Sequence, residues 1–257
     1  MRTTTLAVGL ATIVAGAVLT AAPAQAATYG VTLTINKSTA DIGTKVTLTG
    51  KVSGKGSAKK SVVIQRKAGS AWKTITTTTT SSKSTYAKAI TIRSTGAGVY
   101  RVAAKKAGTT STGYSPSRTV TGYRWLWLHQ QSQFSAGVTY VGTVEQLGKR
   151  YPHSMTMFSG GSTLAWGLGK TCDQLSAKLA VADYSGDDVE AQKVEVGGGT
   201  GPGTYTVGQP PVTIVGQAQP TSEYLSITRP SNGSSVPVHL LSPKVHCSVD
   251  ELPDPSL

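Results

Sequence analysis

The sequence predicts an all-β protein made of two β-sandwich domains. Three observations carry this reading. Apolar residues recur at every second position in short runs, turn residues separate those runs, and the charge changes sign near residue 121. Between Ala27 and Thr121, sixteen Lys and Arg face one acid, Asp41. From Gly122 onward, eight Lys and Arg face eleven Asp and Glu. A break of that size predicts two domains with different surfaces.

Residues 1–26 read as a secretory signal peptide. Arg2 precedes an apolar stretch from Leu6 to Leu19, and Ala24-Gln25-Ala26 supplies a small-x-small cleavage site. The expected location is therefore outside the cell, in association with the wall. The stretch is short for a membrane span, and no second long apolar segment follows. No Cys follows the cleavage site to take a lipid. Leu252-Pro253-Asp254-Pro255 lacks the Thr and Gly of a wall-sorting motif. Retention near the cell is thus expected to be non-covalent. Two cysteines, Cys172 and Cys247, form an even pair in an exported chain and are expected to be a disulfide.

The first domain spans 27–121. Val31, Leu33 and Ile35 alternate, as do Val46 and Leu48, Val62 and Ile64, and Ile90 and Ile92. Thr fills the positions between them, as strand surfaces favour. Lys45-Val-Thr-Leu-Thr-Gly50 is followed by Ser61-Val-Val-Ile-Gln-Arg66, then Gly69-Ser-Ala-Trp72-Lys-Thr-Ile75, then Gly98-Val-Tyr-Arg-Val102. In that order these segments resemble bacterial immunoglobulin-like modules. Trp72 is expected to be a packing residue, and Ser117–Gly122 a linker. The basic surface suits anionic wall polymers. With few aromatics and no recognisable motif, nucleic acid is not an expected partner.

The second domain spans 122–257. It opens with Tyr123-Arg-Trp125-Leu-Trp127-Leu-His129, which is apolar on both faces. Such a strand is either buried on both sides or carries one face into a groove, and at least one of the two Trp is expected in the core. Tyr151-Pro-His-Ser154, Trp166-Gly-Leu168-Gly-Lys-Thr-Cys172, Leu175, Ala177 and Asp183 follow, and Val245-His-Cys247 closes the set. This order resembles the NPCBM family of carbohydrate-binding modules. Two departures stand out: Val194-Glu-Val-Gly197 lacks the family's Asp-Gly turn, and its usual His is only loosely matched by His153.

The resemblance implies a jelly-roll, galactose-binding-like sandwich that binds glycan, in some members with calcium. Asp183, Asp187 and Asp188 supply closely spaced oxygens for such an ion, or else form an ordinary polar turn. For a polysaccharide or wall glycan, an aromatic platform with polar forks is required. Trp127, His153, Tyr184, Tyr205 and Arg229 are the candidates. Catalysis is not expected. There is no GxSxG elbow and no HExxH, and the Gly-rich run Gly197–Gly203 lacks the Lys of a phosphate loop.

Overall fold

Period-two alternation forms strands throughout the computed structural model, which describes residues 27–137, 139–183, 191–198, 203–216, 223–231 and 236–254. Apart from one turn of 3-10 helix at Leu128–Gln130, every regular element among these residues is a strand. The expected all-β class is therefore observed. The signal-peptide residues lie outside the described ones. Among the described residues, no helix is long and apolar enough to cross a membrane.

The first half pairs two sheets. In one, β4 (Lys45–Ser53) lies between β7 (Thr85–Thr91) and the short strands β1 (Gly30–Val31) and β2 (Thr34–Ile35). The other runs β6 (Ala71–Thr79), β5 (Ser61–Ala68), β8 (Gly96–Ala104), β10 (Arg118–Trp127) and β3 (Thr39–Asp41). A short β9 (Gly113–Tyr114) also pairs with β8. Inward residues of both sheets share one core: Val46, Leu48, Val62, Ile64, Tyr86 and Val102 among them. Burying each such side chain contributes about 1.5–3 kcal/mol. Gly50 continues the inward alternation of β4. A Cβ there would lie 2.1 Å from the Thr32 carbonyl oxygen and 2.5 Å from the Tyr86 hydroxyl. Glycine lets Tyr86 donate its hydroxyl hydrogen bond to that same carbonyl. Trp72 is not part of this core. The Arg101 guanidinium lies over its ring at 4.2 Å and over the Tyr114 ring at 4.1 Å.

The second half also has two sheets. One contains β12 (Thr139–Gln146), β13 (Lys149–Met157), β20 (Val238–Cys247), β15 (Cys172–Val181) and β18 (Val212–Gly216). The other runs β11 (Phe134–Ala136), β14 (Thr163–Gly167), β19 (Tyr224–Thr228), β16 (Gln192–Gly197) and β17 (Gly203–Val207). Their facing residues form a second core around Met155, Leu164, Leu179, Val194, Ile227 and Leu240. Trp166 is fully buried in it and donates its indole N–H to the Leu128 carbonyl at 3.0 Å. The expected disulfide is present and joins adjacent strands β15 and β20, where Cys172 and Cys247 are register partners.

Residues Ser117–Gly122, read as a linker, are mostly strand. β10 starts at Arg118 and serves both halves. Arg118–Gly122 pair with β8, and Thr121–Tyr123 run parallel to β3. Arg124–Trp127 pair with β20. Its even-numbered residues Val120, Gly122 and Leu126 are buried: Val120 enters the first core, and Leu126 enters the second. Gly122, between them, passes so close to Ser94 that a Cβ would lie 2.1 Å from its carbonyl oxygen. The strand begins immediately after Ser117.

Candidate functional site

Since Val120, Gly122 and Leu126 of β10 are buried, Tyr123, Trp125 and Trp127 stand on the outer face. The expectation that one of these Trp is a core residue is therefore corrected. Both are half-buried, and the core indole is Trp166. Alternate residues of a strand stand about 6.8 Å apart, so β10 presents a row of three rings.

Neighbouring strands fill the spaces between those rings. On β20, His246 is the register partner of Trp125, and Lys244 is the partner of Trp127. The His246 ring stacks on Tyr123 with centroids 4.9 Å apart and interplanar angle 22°. It also leans on Trp125 at 5.1 Å. Lys244 Nζ lies 4.6 Å from the Trp125 ring centroid and 5.8 Å from that of Trp127. From β13, His153 packs on Trp127 at 4.6 Å. His129, just past the strand, stacks on His153 at 4.7 Å and 17°. The result is a continuous strip: Tyr123, His246, Trp125, Trp127, His153, His129.

Two β-bulges place the strip's side chains. In β13 the register slips between Gly142 and Val144 of its partner, so that Pro152 and His153 together oppose the single residue Thr143. His153 adopts φ +59°, which turns its ring toward Trp127. In β20 the register slips opposite Ser176 and Lys178, at Ser242 and Pro243. Pro243 is accommodated there because the ladder is already interrupted. The bulges are tied together. Ser242 Oγ donates to the Pro152 carbonyl at 2.7 Å, and the Ser242 N–H donates to Ser154 Oγ at 3.2 Å.

At the Tyr123 end, the strip opens into a cleft of about 410 Å³ between the two halves, lined by Lys37, Asp41, Asp173 and Gln174 beside Tyr123 and His246. His246 bridges two carboxylates: its Nδ1 lies 2.6 Å from Asp173 Oδ1, and its Nε2 lies 2.9 Å from Asp41 Oδ1. A carboxylate only accepts, so both bonds form together on the doubly protonated ring. Asp41 is the one acid of the basic half. Burial, and next the Asp173 charge, push the Tyr123 hydroxyl pKa upward. At the other end, burial and next the neighbouring His153 lower the pKa of His129. The His129 Nδ1 is buried without a hydrogen-bond partner.

Of the sequence-stated candidates, the structure brings Trp127 and His153 together. Tyr205 is on β17 and packs partly against the second core. Arg229 is fully buried, with Nη2 donating to Gln192 Oε1 at 3.3 Å; it does not reach the strip. Tyr184 lies outside the described residues, as do Asp187 and Asp188. Asp183 accepts the Leu147 N–H on Oδ2 at 2.6 Å. Among the described residues, no three His, Cys, Asp or Glu converge as a metal-ligand set. Sequence reasoning missed Tyr123, Lys244, His246, Asp41 and Asp173. The signal for two of them was a second alternating strand, Lys244-Val-His246, with charge on the face opposite its core residue.

No protein-family model matches the chain, and no curated protein matches it. The NPCBM and immunoglobulin-like resemblances thus rest on the motifs alone. One solved structure, described as concerning carbohydrate-binding modules from the β-sandwich superfamily, aligns over 88% of this chain and 94% of its own. It does so at 10% identity and a TM-score of 0.29.

Proposed function

We propose that this is an exported, non-catalytic protein that binds extracellular or cell-wall glycan on the outer face of β10, β13 and β20. The observation that carries the reading is the strip of rings, five half-buried and His246 buried, ending in a polar cleft. Apolar faces of sugar rings stack on aromatic platforms, and hydroxyls need nearby donors and acceptors. Trp125 and Trp127 supply the platform. Asp173, Lys37 and Gln174 supply polar groups at one end. An NPCBM-type module for 122–257, after an immunoglobulin-like module for 27–121, agrees with this reading.

The test is retention of the full chain on insoluble polysaccharides and purified cell walls at about 0.5 M salt, where the screening length is only a few ångströms. Binding that a free sugar competes, and that Trp127→Ala weakens about tenfold, supports the proposal. Wild-type retention that Trp125→Ala and Trp127→Ala both leave unchanged would sink it. Assaying the same mixtures for released reducing ends separates binding from hydrolysis.

A second reading has its own support. With Asp41 engaged by His246, the sixteen cations of the first half face no local counter-charge, so electrostatic adhesion to the envelope could hold the protein in place. Retention that vanishes at the same salt favours that reading.

A further inference from the structure

The first half contains an inward-facing arginine with no acid beside it. Val62, Ile64 and Arg66 follow one another at alternate positions on β5, and Arg66 is the register partner of the core residue Tyr100. The bulge between Ile64 and Gln65 occurs only against β6. Its guanidinium donates from Nη2 to Ser94 Oγ at 2.7 Å, while Nε is buried without an acceptor. A guanidinium N–H buried without an acceptor is a costly arrangement.

The space beside it is a cleft of about 480 Å³ at the open edge of the sandwich, where β6 approaches the end of β7. Its lining includes Arg66, Arg93, Thr76, Thr91, Tyr100 and Ile75. Two arginines and three hydroxyl-bearing residues line it, and no acidic residue does. Asp41, the one acid of this half, is held by His246 at the other sandwich. Arginine forks suit tetrahedral oxyanions, to which they donate paired, charge-assisted hydrogen bonds.

We propose that this cleft binds a single phosphate or sulfate ester group of an anionic polymer, with Arg66 and Arg93 as its charge partners and the threonine hydroxyls as further donors. The site is separate from the aromatic strip, and the proposal stands without the glycan reading. It replaces diffuse attraction by the basic surface with one discrete pocket.

The experiment follows the Arg66 Nε–H resonance of the full ¹⁵N-labelled chain while inorganic phosphate or sulfate is added at a constant ionic strength of about 0.15 M, where the Debye length is about 8 Å. A saturable shift is expected. Arg93→Gln should weaken binding about tenfold, whereas Lys55→Gln, an exposed change in the β4–β5 turn, should alter it less than about twofold. The backbone spectrum confirms that each variant is folded. Poly(glycerol phosphate), dextran sulfate and neutral dextran then identify the ester. The polymer whose affinity falls in Arg93→Gln, with Lys55→Gln unaffected, carries the group. A non-saturating response to both ions overturns the proposal. So do equal losses in the two variants, or equal binding of neutral dextran.

Discussion

Acid loads charge onto one end of the aromatic strip, and His129 is where the consequence can be worked out. Its ring stacks on His153 with centroids 4.7 Å apart. Burial, and then the neighbouring His153, hold its pKa below the ordinary 6.5. His239 is shifted the same way by burial, partly offset by the charge of Asp183. In the unfolded chain these rings gain a proton near pH 6.5; in the folded protein they gain it only at lower pH. Between those limits the unfolded state holds more protons. The contribution of each ring therefore destabilises the fold as pH falls through 6.5 toward its folded value.

The slope is at most about 1.4 kcal/mol per pH unit for each ring. Charging both stacked rings would add repulsion of about 0.9 kcal/mol with bulk-water screening, or about 3.5 kcal/mol at an effective dielectric of 20. Urea midpoints at about pH 7.5 and about pH 5.5 bracket the histidine range. His129→Gln and His239→Gln should each lose less stability on acidification than the wild-type protein, by up to about 1.4 kcal/mol per pH unit below 6.5. His153 and His246 are common to all three proteins, so the difference reports the substituted ring and, for His129, its coupling to His153. If both variants lose as much as the wild type, the attribution to these rings is refuted.

Replacing Cys172 and Cys247 by Ala removes a cross-link spanning 75 residues, and calorimetry should show a loss of about 4 kcal/mol; a loss under about 1 kcal/mol would contradict the chain-entropy argument. Asp41→Asn removes one carboxylate from the His246 bridge, and because Asp41 is 53% exposed the cost should be only about 1 kcal/mol. A double-mutant cycle with His246→Gln should give non-zero coupling, and strict additivity would show that the bridge does not link the halves energetically. Calcium at Asp183, Asp187 and Asp188 is carried forward as a proposal. About 1 mM calcium should raise the melting temperature of the wild-type protein and not of the Asp187→Asn/Asp188→Asn variant, whereas identical melting curves with calcium and with chelator would remove the ion from the account.

Strand positions were legible because alternation is a local property. Val46 with Leu48, and Val62 with Ile64, state which residues share a face. Alternation does not say which face is inside when both are apolar. That is why at least one of Trp125 and Trp127 was expected in the core, while Trp166, in a less conspicuous run, is the buried indole. Legibility ended where geometry depends on distant chain. His153 faces Trp127 because of a bulge whose register is set by β12, and a sequence motif gives no register. Arg229 looked available because arginine is usually exposed, yet its backbone is bonded to Ser162 and Gly161, and the side chain is fully buried. The pairing of Asp41 with His246 joins residues 205 positions apart, beyond any local pattern. The Cys pair was readable because only two cysteines exist.

The shared strand makes the two halves harder to treat as independent modules than their opposite charges suggest. A flexible linker would let the basic half and the aromatic strip move separately, so that joint binding would depend on linker length. Here no residue separates them. Gly122 pairs with β8, Arg124 pairs with β20, and Tyr123 between them pairs with β3. Tyr123 is also the first ring of the strip, and Asp41 at the end of β3 holds the His246 ring on which Tyr123 stacks. A shift of β10 by one residue would turn Val120 and Leu126 outward and Trp125 inward, disrupting both cores and the binding face together. The strip's geometry is therefore coupled to the folding of the basic half. Deleting residues 27–121 would remove β3 and the first half of β10, and with them one wall of the cleft. Full-length protein with point substitutions is accordingly the informative material for testing glycan binding.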